Sequence, residues 1–160
     1  MGNFVLLAQA ARKLKVPFIA SGGVGTGRQL AASLILGAVG VNMGTRFMAT
    51  QEAAIHQNIK DALVAGNETD TMLVMRSLRN TERVYKNEAS KKVAAIEKEK
   101  PGDIMAIKHL VSGEQYRKSF QETGDTTSSV WSCGQVMVRV RPQSVLLSAV
   151  IDFQWEKESF

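Results

Sequence analysis

Two short apolar runs, each closed by a glycine turn, constrain this chain more than anything else in it. Val16-Pro17-Phe18-Ile19-Ala20 leads into Ser21-Gly22-Gly23-Val24-Gly25-Thr26-Gly27, and Val39-Gly40-Val41-Asn42-Met43 leads into Gly44-Thr45. Apolar runs of this length, bounded by turn residues, read as strands buried on both faces, as in parallel sheets. Before the first run, residues 4–15 set Phe4, Val5, Leu6, Leu7, Ala8, Ala11 and Leu14 at helical spacing, with Arg12, Lys13 and Lys15 at the end. This predicts an amphipathic helix whose cations suit the negative end of its dipole. Between the runs, residues 27–37 predict a second helix with Leu30, Ala31, Leu34 and Ile35 on its apolar side, Thr26 or Gly25 as N-cap and Gly37 closing it. The first 48 residues thus read helix, strand, helix, strand with short loops, the pattern of parallel βαβ packing.

The character changes after Phe47. Residues 51–65 predict a helix closed by Gly66-Asn67, and Thr71–Met75 a short strand. Residues 81–99 predict a charged helix whose end, Glu97-Lys98-Glu99-Lys100 before Pro101-Gly102, reads as a solvated face. One or two short helices are expected over 103–122, a turn at Gly124-Asp125, and a polar segment over 128–135. The expected division is 1–50 for the βα units, 51–126 for a helical small domain, and 127–160 for a return segment and tail.

Composition removes several classes. The chain has 160 residues, one domain's worth, whereas a complete (β/α)₈ barrel needs about 250. A single cysteine, Cys133, excludes an internal disulfide, and with only His56 and His109 beside it the usual zinc sets cannot be built. Net charge is +5, but the basic residues are scattered, without aromatic interleaving, which argues against nucleic acid and leaves a small anionic ligand as the more economical partner. No apolar run is long enough for a membrane helix, and the N-terminus lacks a basic leader, so a cytoplasmic protein is expected.

The chemistry concentrates in the two glycine turns. They close consecutive parallel strands and should lie side by side at the carboxyl ends, where α/β folds bind ligands. Glycine lets backbone approach a phosphate closely, and N–H groups at the next helix start can donate to it. The spacing is not the G-x-G-x-x-G of dinucleotide sites, and no Gly-Lys-Ser/Thr is present for a P-loop. In (β/α)₈ barrels this position, after the last two strands, is the recurring phosphate site. The plain alternative is that the glycines only make tight turns.

Pro17–Gly23, Gly37-Ala38, Gly40–Phe47 with its Met43-Gly44-Thr45-Arg46-Phe47, and Arg76-Ser77-Leu78-Arg79-Asn80 together resemble the nitronate monooxygenase (2-nitropropane dioxygenase) family, in one register through Gly134-Gln135. The glycine motifs alone are also shared with other phosphate-binding barrels, such as inosine monophosphate dehydrogenases. The resemblance implies the C-terminal portion of a (β/α)₈ TIM barrel, an α/β fold, with an inserted, mainly helical small domain over the flavin. It implies FMN as cofactor, its phosphate held by Gly22 and Gly23 of the first turn and Asn42, Met43, Gly44 and Thr45 of the second. Family members commonly carry Gln where this chain has Asn42. The implied reaction is oxidation of an alkyl nitronate, or a nitroalkane deprotonated to one, by molecular oxygen.

The family's histidine base belongs to a Gly-Gly-His motif that would fall before Gly2, so no catalytic residue is assigned here. His56, expected on the helix after the second turn, and His109 read as structural; Cys133 reads as a buried or inert thiol. Arg46 is equally compatible with facing phosphate and with a salt bridge. After Val136 the resemblance ends, and Met137-Val138-Arg139-Val140-Arg141-Pro142 onward suggests a divergent end or an alternative C-terminus. Two strands cannot close a barrel, so weak flavin binding, no turnover alone, and self-association through exposed strand edges are expected. A non-catalytic truncated product remains the competing class.

Overall fold

The computed structural model describes residues 1–139; the rest of the divergent tail lies outside the described residues. The described chain divides into two compact units, Met1–Ala53 and Ala54–Val138.

In the first unit the order is α1 (Asn3–Lys13), β1 (Ile19–Ser21), α2 (Gly27–Ile35), β2 (Gly40–Asn42) and a short α3 (Thr45–Met48). β1 and β2 pair in parallel, Ile19 with Gly40, Ala20 with Val41 and Ser21 with Asn42. Thr26 caps α2 in a capping box with Gln29, and Gly37 follows its C-cap with φ +99°. That glycine is required twice over, since a Cβ there would also sit 2.7 Å from Ala11 Cβ. Leu7, Ala20 and Ala38 form a small core, with Phe18, Leu36 and Val41 against it.

Expectations about strand length and about burial are corrected. The strands are three residues each rather than five, because Pro17 cannot donate to a ladder and each strand has a single partner. They are also not buried on both faces: Ala20 is fully buried, but its neighbour Ile19 is 57% exposed. Likewise only Leu7 of the α1 apolar residues is buried, while Phe4 is 74% exposed and Val5, Leu6 and Leu14 are exposed too. A two-stranded sheet is too narrow to cover a full helical stripe.

The second unit contains α4 (Gln57–Ala65), β3 (Thr71–Val74), β4 (Glu82–Tyr85), α5 (Glu88–Glu99), α6 (Ile104–Val111), α7 (Gly113–Arg117) and a π-helical turn (Lys118–Thr123). β3 and β4 pair antiparallel, Thr71 with Tyr85 through Val74 with Glu82. Val74, Met75, Val84, Ala89, Val93, Ile107 and Val130 make its core. Trp131 is fully buried and stacks on Tyr85 at 4.4 Å between ring centroids, with Phe120 tilted against it at 5.9 Å.

Here too the sequence reading is corrected. Residues 81–99 are not one helix. Val84 and Tyr85 suit a pleated surface and pair with β3, and Asn87 then ends the strand and caps α5. The helix expected from residue 51 begins only at Gln57, after a run of turns, so His56 is its N-cap and not a residue within it. Glu97 is not simply solvated. Its carboxylate accepts from Met75 N at 2.6 Å, Ser77 N at 3.1 Å and Ser77 Oγ at 2.7 Å, holding a turn in which Met75 has φ +57°.

Candidate functional site: two glycine turns at the strand ends

The last rung of the parallel sheet pairs Ser21 with Asn42, and both turns start at the next residue. Gly22 N donates to Asn42 O at 3.2 Å, tying the turns together. Gly22 and Gly23 are both left-handed, φ +83° and +73°, which an L side chain would resist. A Cβ built on Gly22 or on Gly44 would meet nothing within 4 Å, so the backbone at both turns faces open space that a ligand oxygen can enter. Gly22, Gly23, Asn42 and Gly44 are exposed, Met43 is half-buried, and Thr45 is buried at the first position of α3. Five of the six sequence-predicted positions therefore lie in two adjoining turns of one unit, and the sixth, Asn42, is the strand residue that leads into the second.

The donors differ from those the sequence suggested. The helix after the first turn was expected to offer its N-terminal amides to an anion. Instead Gln29 Oε1 accepts from Gly25 N at 2.9 Å, Thr26 N at 3.1 Å and Thr26 Oγ1 at 3.3 Å. The cap thus engages the two amides just ahead of α2, and Thr26 Oγ1 in turn accepts from Gln29 N at 3.3 Å, so the amides of Gly25, Thr26 and Gln29 are taken. The signal was readable: Thr26-x-x-Gln29 is a capping-box spacing. Asn42 Nδ2 donates to Ser21 Oγ at 3.3 Å across the sheet, so its amide serves the strand ends. Asn3, at the first residue of α1, donates from Nδ2 to Gly22 O at 2.6 Å; no motif marked it.

Of the other singled-out residues, Arg46 follows Thr45 in the first unit, and His56, His109 and Cys133 belong to the second. Arg46 is buried and already engaged within the protein. His56 Nδ1 accepts from Asn58 N at 3.2 Å, and its ring lies where a Gly124 side chain would be. His109 sits in the last turn of α6. Cys133 is buried, and burial pushes its thiol up to about 12, with Arg83 pulling weakly the other way, so it is not a nucleophile at neutral pH. Among the described residues no cluster of His, Cys, Asp and Glu could hold a metal, and no helix is long and apolar enough to cross a membrane.

A parallel βαβ segment with consecutive strand-end glycine turns is the class of the closing βα units of a (β/α)₈ barrel. The solved structures agree. FabK from Thermotoga maritima superposes with a TM-score of 0.89 at 30% identity, over 99% of this chain and 50% of that one. Nitroalkane oxidase from Streptomyces ansochromogenes gives a TM-score of 0.77 at 24% identity, over 99% of this chain and 44% of that one, a likeness of fold. The profile of the nitronate monooxygenase family matches residues 1–149, and the chain belongs to that family. A probable nitronate monooxygenase of Staphylococcus aureus is 30% identical over 155 residues, which are 95% of this chain and 42% of that protein. One of Staphylococcus haemolyticus is 42% identical over 73 residues, 46% of this chain and 20% of that protein. The chain thus spans about half or less of the proteins it matches. The match also corrects the reading of the tail, since it runs past Gln135 into the stretch expected to be unrelated.

Proposed function

We propose that this chain carries the phosphate-holding end of an FMN-dependent oxidoreductase that oxidises alkyl nitronates, or nitroalkanes deprotonated to them, with molecular oxygen. The observation that carries the reading is the pair of glycine turns in one register, bound by Gly22 N to Asn42 O and open above Gly22 and Gly44. The residues suit a phosphate: two glycines whose backbone an anion can approach, and Thr45 with its hydroxyl at the second turn. Gly22 and Gly23 would hold one side of it, and Met43, Gly44 and Thr45 the other. Asn42 would act by keeping the strand ends aligned through Ser21. FMN, when bound, supplies the electron-accepting and oxygen-reducing chemistry, while the protein binds and orients it.

His56, His109 and Cys133 all belong to the second unit rather than the one that carries the turns, and the thiol is held protonated. With no base assigned the chain by itself is expected not to turn over nitronate, and with only two parallel strands among the described residues it is expected to bind FMN weakly. Self-association through strand edges belongs to the same reading, since β1 and β2 each have one partner among the described residues.

The test is the visible spectrum of the purified chain before and after FMN is added and excess removed. Flavin absorbance at roughly 370 and 450 nm that is retained, or FMN binding seen by fluorescence titration when it is not, supports the reading. A colourless protein that also shows no FMN binding by fluorescence titration refutes it for this chain. Nitronate oxidation by the isolated chain would refute the expectation of no turnover.

A further inference from the structure

We infer that Asn3 is a positioning residue for the first glycine turn: its side-chain amide sets which way the Gly23 N–H points. The inference rests on the FMN reading for its ligand, but not for its geometry. Asn3 Nδ2 donates to Gly22 O at 2.6 Å from the start of α1. That carbonyl and the Gly23 N–H belong to one planar peptide, and no peptide bond in the described chain is cis. In a trans peptide the two groups point in opposite directions. Drawing the carbonyl toward Asn3 therefore turns the Gly23 N–H to the side away from α1.

A peptide between two glycines has little steric preference for one orientation, because neither residue has a Cβ to resist rotation. Gly22 and Gly23 both sit at positive φ, so the turn uses that freedom and something must select one arrangement. Gly22 N, bonded to Asn42 O, fixes the peptide before it; Asn3 fixes the peptide after it. Were the second peptide to flip, a carbonyl oxygen would replace an N–H toward an incoming phosphate, and attraction would become repulsion. A Cβ on Gly23 would approach Asn3 Nδ2 at 3.6 Å, ordinary contact distance, so the amide lies against the turn without crowding it.

The test compares Asn3→Ala and Asn3→Asp with the unaltered chain. Alanine removes the donor and is a better helix former than asparagine, so α1 is not weakened by its propensity. Aspartate keeps the shape but offers an acceptor to the Gly22 carbonyl. Amide signals of Gly22 and Gly23 are followed by NMR and hydrogen exchange without ligand, and affinities for FMN and riboflavin, which lacks the phosphate, are measured by flavin fluorescence. The expected result is broadened or doubled Gly23 signals, faster Gly22 exchange, and FMN affinity lower by about five- to tenfold, the worth of one hydrogen bond, with riboflavin unchanged. Gly22 and Gly23 amides indistinguishable from the unaltered chain would overturn the inference, as would an equal loss of FMN and riboflavin. If the unaltered chain binds neither flavin, the FMN reading fails, and the amide signals alone decide the role of Asn3.

Discussion

Replacing Asn87 tests how the second unit is held together. The residue is 5% exposed and works in three directions. Its Oδ1 accepts from Ser90 N at 2.8 Å, capping α5, and its Nδ2 donates to Thr126 O at 2.7 Å and Ser129 O at 2.9 Å. Asn87→Ala removes a cap worth about 1 kcal/mol and two bonds to carbonyls worth about 1 kcal/mol each, about 3 kcal/mol in all. Asn87→Ser keeps the cap but does not reach the carbonyls, so it should cost about 2 kcal/mol. Asn87→Asp keeps the cap yet sets a carboxylate against two carbonyl oxygens, and should cost at least as much as alanine. Against a typical domain stability of about 5–15 kcal/mol, these are large effects.

Urea unfolding followed by Trp131 fluorescence in a Trp155→Phe background would read them. Trp131 is fully buried, and its indole N–H donates to Thr126 O, one of the carbonyls that Asn87 serves. The midpoints should fall in the order unaltered, serine, alanine, with the slope of the transition unchanged. A serine variant as stable as the unaltered chain would show that the two carbonyl bonds contribute nothing and that Asn87 is only a helix cap.

Three further outcomes follow from the same geometry. Gly124→Ala should cost about 3 kcal/mol or prevent folding, since Gly124 has φ +65° and a Cβ would run into the His56 ring; a thermal melt within a degree of the unaltered chain would contradict this. Gln29→Glu keeps the capping box but puts a negative charge beside the first turn. FMN affinity should drop about three- to tenfold at low salt, less at high salt, with riboflavin unaffected; equal affinities would place the phosphate elsewhere. Cys133 should resist iodoacetamide in the folded chain at pH 8 and react once unfolded. Because its folded value is raised to about 12, from 9 in the unfolded chain, its contribution to stability is present below pH 9 and lost as pH rises toward 12. Removing that alkaline loss by Cys133→Ala is the check.

The first unit was largely legible because its signals are local. Thr26 and Gly37 mark the ends of α2, and the glycines mark the ends of both strands, each through a backbone requirement written in one or two residues. What was missed depends on partners distant in sequence. Glu82–Tyr85 is a strand because Thr71–Val74 lies beside it, and within 81–99 the helical charge pattern outweighed two β-forming residues. Glu97 looked solvated because its partners, Met75 and Ser77, lie twenty or more positions back. Asn3 is the same case at the site itself. A lone asparagine at a helix start signals only a cap, and its bond to Gly22, nineteen positions on, becomes visible only in the folded chain. The capping role of Gln29 is legible in the Thr26-x-x-Gln29 spacing, and it engages the Gly25 and Thr26 amides beside the first turn.

The sheet that carries the two turns is three rungs long. Sliding one strand past the other by one residue would move one turn about 3.3 Å along the other, more than the length of a hydrogen bond. It would also turn Ala20 out of the core and bring Ile19 or Ser21 in. The small side chain of Ala20, packed against Leu7 and Ala38, thus acts as a gauge block: the core sets the spacing between two mouths that it never touches. Any molecule that bridges the turns would tighten the same three rungs in return, so occupancy and strand alignment would rise and fall together.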